Sequence, residues 1–357
     1  MTKILTIVGA RPQFVKAAPL SKAIRETGIQ EYLVHTGQHY DENMSRIFFD
    51  EMAIPTPDIN LEIGSGTHGQ QTGQMLIALE ACMLREKPDF VLVYGDTNST
   101  IAGALAAAKL QIPIAHVEAG LRSFNRNMPE EHNRVLTDHC STLLFCPTDT
   151  AVSHLRNENI IDGVYQVGDT MLDAVLQFKR VSQEKSTILV DLGLEPNTYN
   201  LVTIHRPYNT DVPDHLRDLL ETLEMAPNPV ILPIHPRTRA RIAELEKPLN
   251  LSNVRLIEPV GYLDMLMLEA NAKNILTDSG GIQKEAYFLE GPCLTLRPET
   301  EWVETLEGGW NILVERNRQQ ILKLLQTDRK FPIQNASFGN GTTAQQVARI
   351  LVEHLKF

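Results

Sequence analysis

Cysteine and tryptophan are scarce, four and two among 357 residues, and no long apolar run occurs. Cys82, Cys140, Cys146 and Cys293 stand far apart, without the close pairing of a zinc site or a redox motif, so they read as reduced core residues of a cytoplasmic protein. An excess of basic residues is lacking too: 33 Lys and Arg against 44 Asp and Glu give a formal net charge of -11. That balance argues against a general affinity for nucleic acid or an anionic membrane, and leaves small anions bound in a local basic pocket. The segment MTKILTIVGARP is apolar only briefly and lacks a signal-peptide layout, and no later stretch reaches membrane length, so neither secretion nor membrane spanning is expected. Nor do the histidines suggest a metal. His35, His39, His68, His116, His132, His139, His154, His215 and His235 show no tight ligand spacing and read as capped or surface groups, with His235, just after a strand, kept as a nucleotide neighbour.

Hydrophobic residues make up 43% of the chain, enough for two cores at this length. KILTIVG, EYLVHTG, DFVLVYGD, IPIAHVEAG and TLLFCPT are compact, mostly non-alternating β-rich runs, as strands covered on both faces should be. Amphipathic segments at 14–26, 69–86 and 97–109 lie between them. The alternation predicts a parallel α/β sheet. After a polar, turn-rich stretch at 183–198 it restarts with YNLVTIH, NPVILPIH, VRLIEP, KNILTDSGG and GPCLTLR. Two Rossmann-like, doubly wound domains are expected, 1–182 and 183–357. The final helix, within 341–357, is left open to pack back on the first domain.

Ligands in such sheets bind at the carboxyl ends of strands, so the strand ends carry the functional reading. The first strand runs into GARPQFVK, which has neither G-x-G-x-x-G nor the P-loop pattern. It offers instead a glycine turn, the cations Arg11 and Lys16, and a helix N-terminus suited to an anion. YGDTNST, HVEAGLRS and MPEEHNR bring Asp96, Glu118, Glu130, Glu131 and Arg134 toward one rim, although Asp96 could equally cap a helix. In the second half, TDSGGIQKEA sets Ser279, Gly280 and Gly281 between a strand and a helix, where a backbone can approach a pyrophosphate, with Glu285 one turn on for ribose hydroxyls. Together with TIHRPYNT (His205, Arg206), IHPRTR (His235) and EPVGY (Val260, followed by Met265), this resembles a nucleotide-diphosphate crevice between two domains.

Taken in order, GARPQFVKAAPL, GDTNST, HVEAGLRS, MPEEHNRVLTDH and ILTDSGGIQKEA resemble the non-hydrolysing UDP-N-acetylglucosamine 2-epimerase family almost to the end of the chain. The resemblance implies a GT-B glycosyltransferase type of fold with UDP in the interdomain cleft, a homodimer, and neither metal nor nicotinamide. It also implies the reaction: a base removes the C2 proton of the sugar while UDP leaves C1, and UDP re-adds to the 2-acetamidoglucal as a proton reaches the opposite face. By match to the family, Asp96, Glu118 and Glu130 become the acid/base carboxylates with Glu131 beside them. Arg11, Lys16, His205, Ser279, Gly280 and Gly281 would hold the substrate and leaving diphosphate, and Glu285 the ribose. Trp302, in ETEWVE, stands where many members carry an arginine. HTGQHYDENM and LRSFNRNMPEEHNR look more like the branch acting on UDP-2,3-diacetamido-2,3-dideoxyglucuronate. A glycosyltransferase of the same fold and a non-catalytic nucleotide-sugar sensor are the alternatives, the sensor ranking last because all three carboxylates are present.

Overall fold

The computed structural model describes residues 2–38, 51, 52, 54–245 and 249–355. Most of QHYDEN, residues 39–43 with His39, lies outside the described residues. The chain divides into two compact units, Met1–Leu176 with Ala336–Phe357, and Gln177–Asn335.

In the first unit, β1 (Lys3–Val8), β2 (Gln30–His35), β3 (Ile59–Asn60), β4 (Phe90–Tyr94), β5 (Ile114–Val117), β6 (Leu143–Cys146) and β7 (Val164–Gln166) form one parallel sheet ordered β3-β2-β1-β4-β5-β6-β7. Leu5, Ile7, Val91 and Val93 pack on Met75, Leu79, Ala102 and Ala106 of helices His68–Glu86 and Asn98–Lys109. The second helix is rich in alanine and comes close to the sheet. A Cβ on its Gly103 would lie 2.4 Å from Ile7 Cδ1, so a larger residue there would have to push the Ile7 side chain aside.

The second unit repeats the plan. Its strands β8 (Asn200–Thr203), β9 (Val230–Pro233), β10 (Val254–Ile257), β11 (Asn274–Thr277), β12 (Cys293–Thr295) and β13 (Asn311–Leu313) run parallel in the order β10-β9-β8-β11-β12-β13. Successive residues of a strand point to opposite faces. Val202 accordingly enters a core with Leu216, Leu220, Leu232 and Leu294, whereas Leu201 enters another with Tyr199, Ile231, Leu268 and Ala286. Each fully buried leucine or isoleucine contributes about 1.5–3 kcal/mol.

Both sheets have a switch point, where strand order reverses: between β1 and β4 in the first, between β8 and β11 in the second. Loops leaving neighbouring strands diverge there and open a crevice at the carboxyl ends.

Two departures from the sequence reading stand out, and the place of the final helix, left open there, becomes visible. Strands β3, β7 and β13 were not anticipated, because edge strands of two or three residues leave no apolar run. The boundary between units falls between Leu176 and Gln177 rather than at 182/183, both points lying within helix Thr170–Lys185, and the polar stretch after it forms a short helix, Ile188–Leu192. Helix Thr343–Leu355 belongs to the first unit, where the Asp173 carboxylate accepts the N–H groups of Thr343 (3.2 Å) and Ala344 (2.7 Å). No described helix is long and apolar enough to cross a membrane.

Candidate functional site

At the first switch point, Gly9 leads from β1 into helix Arg11–Glu26. A Cβ on Gly9 would lie 2.0 Å from Thr36 Oγ1, so the turn requires glycine. Gln13 ties this turn to the next strand. Its Oε1 accepts the N–H groups of Gly9 (2.8 Å) and Ala10 (3.0 Å), and its Nε2 donates to Tyr94 O at 2.9 Å. One turn on, Lys16 is buried, and its Nζ donates to Glu118 Oε1 at 2.5 Å. Glu118 follows β5 with φ +72°, a left-handed conformation that costs a non-glycine residue about 1–2 kcal/mol. Gly95, also left-handed, lies beneath the pair: a Cβ there would be 3.3 Å from Glu118 Oε1 and 3.4 Å from Lys16 Nζ.

Asp96 comes next, and it is not the helix cap. Thr97 caps helix Asn98–Lys109, its hydroxyl accepting from Thr100 N. The Asp96 carboxylate instead accepts from Arg134, through Nη2 and through Nε at 3.1 Å. Arg134 also reaches Glu131 Oε2 at 3.1 Å. Glu131 is committed to the loop before its helix, accepting from Ser123 N (2.9 Å), Ser123 Oγ (2.9 Å) and Phe124 N (2.8 Å). It therefore anchors the turn that precedes its helix. Glu130 is half-buried in the first turn of helix Pro129–Cys140, where the helix dipole favours a negative charge.

In the second unit the organiser is Asp278, a residue the sequence reading passed over inside TDSGG. It is fully buried after β11, and its carboxylate gathers the whole β8 end: His205 N at 3.1 Å, Arg206 N at 3.0 Å, Asn209 Nδ2 at 3.0 Å and His205 Nδ1 at 3.1 Å. Burial alone would raise the Asp278 pKa, but the His205 charge and these donors outweigh it and hold the carboxyl below its ordinary value. The His205 Nδ1–H is thereby directed at Asp278. Its Nε2 has no partner among the described residues, and the side chain is 41% exposed.

Ser279 caps helix Gly280–Phe288, its hydroxyl 3.5 Å from Ile282 N. Gly280 is walled in: a Cβ there would be 2.7 Å from Glu301 Oε1 and 3.4 Å from Trp302 Nε1. Trp302 is itself buried, and the Lys284 ammonium sits 3.8 Å over its ring. A cation therefore occupies this corner, supplied by the helix. Glu285 is buried one turn beyond Gly281. Val260 and Met265 are half-buried against the Tyr199–Leu268 core, and exposed His235 caps helix Pro236–Ala243 by accepting Arg237 N at 3.2 Å.

Lys16 with Glu118, and Asp96 with Arg134 and Glu131, are thus brought together, as are His205 and the glycine turn through Asp278. His116 overturns its surface reading: it is completely buried, against an equally buried Asp138. Neither Asp138 nor Asp278 is legible beforehand, because the partner of each lies far away in sequence.

Two doubly wound sheets, one presenting carboxylates held by cations and the other a histidine and a glycine-opened helix N-terminus, define an α/β enzyme of the two-Rossmann-domain class. A family model described as UDP-N-acetylglucosamine 2-epimerase matches residues 22–352. A UDP-N-acetylglucosamine 2-epimerase homolog of Methanococcus maripaludis is 54% identical, over 98% of this chain and 99% of its own. The UDP-2,3-diacetamido-2,3-dideoxy-D-glucuronate 2-epimerase of Pseudomonas aeruginosa is 49% identical over 98% and 99%. The crystal structure of Methanocaldococcus jannaschii UDP-GlcNAc 2-epimerase in complex with UDP-GlcNAc and UDP superimposes with a TM-score of 0.92 at 46% identity, covering 99% of this chain and 100% of the other. The chain belongs to the UDP-N-acetylglucosamine 2-epimerase family and is an isomerase.

Proposed function

We propose that the protein interconverts a UDP-linked 2-acetamido sugar and its C2 epimer, UDP-N-acetylglucosamine being the reference substrate, by elimination and re-addition of UDP. The observation that carries this reading is the pair of strand-end carboxylates, Asp96 and Glu118, each set against a cation at the switch point of a family member. A carboxylate removes the C2 proton, the C1–O bond breaks with its electron pair going to UDP, and a C1–C2 double bond forms. In the return step a UDP oxygen attacks C1 and a proton reaches C2 from the other face. Asp96, Glu118 and Glu130 are assigned to the proton transfers. Arg11 and Lys16 supply positive charge. Ser279, Gly280, Gly281 and His205 receive the departing diphosphate, where donors aimed at developing charge have most effect. Glu285 serves the ribose, with Val260, Met265 and His235 around the nucleotide.

No electrons are transferred overall, so no nicotinamide or other redox cofactor is required by the chemistry. A homodimer in the cytoplasm completes the reading. The Pseudomonas relative, at 49% identity, supports a second substrate, UDP-2,3-diacetamido-2,3-dideoxyglucuronate. The Lys284 cation over Trp302 supports the view that this corner keeps its charge despite the tryptophan.

The test is turnover in deuterated water with each UDP-sugar and no added metal or NAD. Deuterium at C2 is expected; epimerisation with C2 still protonated would rule out elimination. A kcat/KM at least about a hundredfold higher on plain UDP-N-acetylglucosamine, or about 2.7 kcal/mol, would exclude the uronate.

A further inference from the structure

His116 lies in the middle of β5, paired in register with Val93 of β4 and Leu144 of β6, and its side chain is 0% exposed. Nδ1 is 2.7 Å from Asp138 Oδ1, and Nε2 is 2.8 Å from Gly95 O. A backbone carbonyl only accepts. Asp138 accepts as well, from Gly120 N (3.1 Å) and Arg122 Nη1 (2.7 Å) besides His116. Burial tends to raise the Asp138 pKa, but the bond and charge of His116 and the charge of Arg122 prevail and keep it lowered, so it is a carboxylate. Both His116 nitrogens therefore face acceptors. Arg122 passes the chain on to Glu158, Nε to Oε1 at 2.7 Å and Nη2 to Oε2 at 2.8 Å. Arg122 thus bridges two carboxylates, and pairing of this kind is the condition under which such charges can be buried.

The array grips the two turns that carry the acid/base candidates. The Gly95 peptide is held on both sides, its N–H by Val117 O at 2.9 Å and its carbonyl by His116, and Asp96 is the next residue. Asp138 holds Gly120 N, two residues after Glu118, across a segment in which Glu118 and Gly120 are both left-handed. With both nitrogens engaged inside the protein, His116 has none for a substrate.

We propose that His116 is a positioning residue for the epimerisation: clamped between Asp138 and the Gly95 carbonyl, it fixes the Gly95–Asp96 and Glu118–Gly120 turns so that both carboxylates stand in reacting geometry. The role rests on the epimerase reading. Its test compares His116→Asn, whose short amide can reach Asp138 but not Gly95, with His116→Gln, whose Nε2 can reach the Gly95 carbonyl. Fold is checked by circular dichroism and thermal melting, and UDP affinity by calorimetry.

In the folded Asn variant kcat should fall about a hundredfold, the scale of a displaced catalytic group, while KM and the UDP Kd stay within about threefold. The Gln variant should recover to within about tenfold of wild type. A folded Asn variant with kcat within about threefold of wild type overturns the role, as does a loss shared equally by kcat and UDP affinity, or a Gln variant no better than Asn. Should the Asn variant not fold, the Gln variant decides alone: an unchanged KM and a kcat within about tenfold support the clamp, and any larger loss overturns it. Wild type is first assayed for C2 deuterium uptake, because no uptake with either UDP-sugar overturns the epimerase reading itself, whereas uptake within about threefold of the wild-type rate in folded His116→Asn overturns only the clamp.

Discussion

In the first unit the ring of His116 spends one nitrogen on buried Asp138 and the other on a backbone carbonyl; in the second, the ring of His205 spends Nδ1 on buried Asp278 and leaves Nε2 without a described partner. The first pair holds the turn after β4 and the second the turn after β8, and both aspartates are held below their ordinary pKa. What separates them is the second ring nitrogen. Engaged inside the sheet, it makes the histidine part of the scaffold that presents Asp96 and Glu118. Left at a partly exposed strand end, it makes the histidine available to a ligand. A buried His–Asp pair therefore does not announce its function until both nitrogens have been traced.

The comparison breaks most readily at the carboxylates that the first scaffold presents. Asp96→Asn, Glu118→Gln and Glu130→Gln should each lower turnover by about a hundredfold or more, the range for a lost acid or base, with UDP still bound in calorimetry. If the three amides epimerise normally, the first switch point holds structural pairs alone, and the contrast between its buried histidine and the exposed one loses its meaning.

Asp278→Asn sharpens the same contrast at the other sheet, with a smaller effect. An amide still accepts a hydrogen bond but cannot offer the carboxylate charge, so kcat should drop about ten- to a hundredfold as His205 loses its fixed orientation. Stability carries a sign. Because the folded-state pKa of Asp278 is lowered, its contribution is complete above the unfolded value of about 3.9 and is lost as pH falls through the lower folded value. Denaturant titrations should therefore show a wild-type advantage over the Asn variant at neutral pH that narrows on acidification below about pH 4. An advantage constant with pH would mean that Asp278 acts by shape and not by charge.

Much of this arrangement was legible from residue order. Apolar runs ending in GARP, YGD, HVEAG, TIHRP and TDSGG put Gly9, Asp96, Glu118, His205 and Ser279 at strand ends, since a parallel strand that leaves the core must turn polar there. Pairings were not legible. Lys16 meets Glu118 across 102 positions and Arg134 meets Asp96 across 38, and nothing in either local stretch encodes the partner. Lys16 was expected on the diphosphate and is buried on a carboxylate; Glu131 was expected beside the acids and anchors Ser123 and Phe124. In both cases a charge that sequence alone assigns to a ligand first has to be neutralised within the fold, because burying it unpaired costs too much.

Buried charge gives the last and smallest test. The first unit pairs Asp138 and Glu158 with His116 and Arg122, but in the second Glu269, 1% exposed on helix Tyr262–Asn271, has neither oxygen hydrogen-bonded among the described residues. Burial, with the charge of Glu285 added, raises its pKa well above the ordinary value, so the carboxyl is held protonated where an exposed one would ionise. For a group raised in this way the folded state is favoured in full below the unfolded pKa of about 4.3, and that advantage is lost as pH climbs through the folded value. Glu269→Gln keeps the shape and removes the proton. It should raise the melting temperature by about 2–4 °C near neutral pH, the shift expected for roughly 1 kcal/mol in a chain of this kind, and the gain should shrink toward pH 4. UDP affinity should change little, because the substitution leaves Glu285 in place. A melting difference independent of pH would show that Glu269 ionises in the folded protein, and the second unit would then have to balance that charge as the first one does.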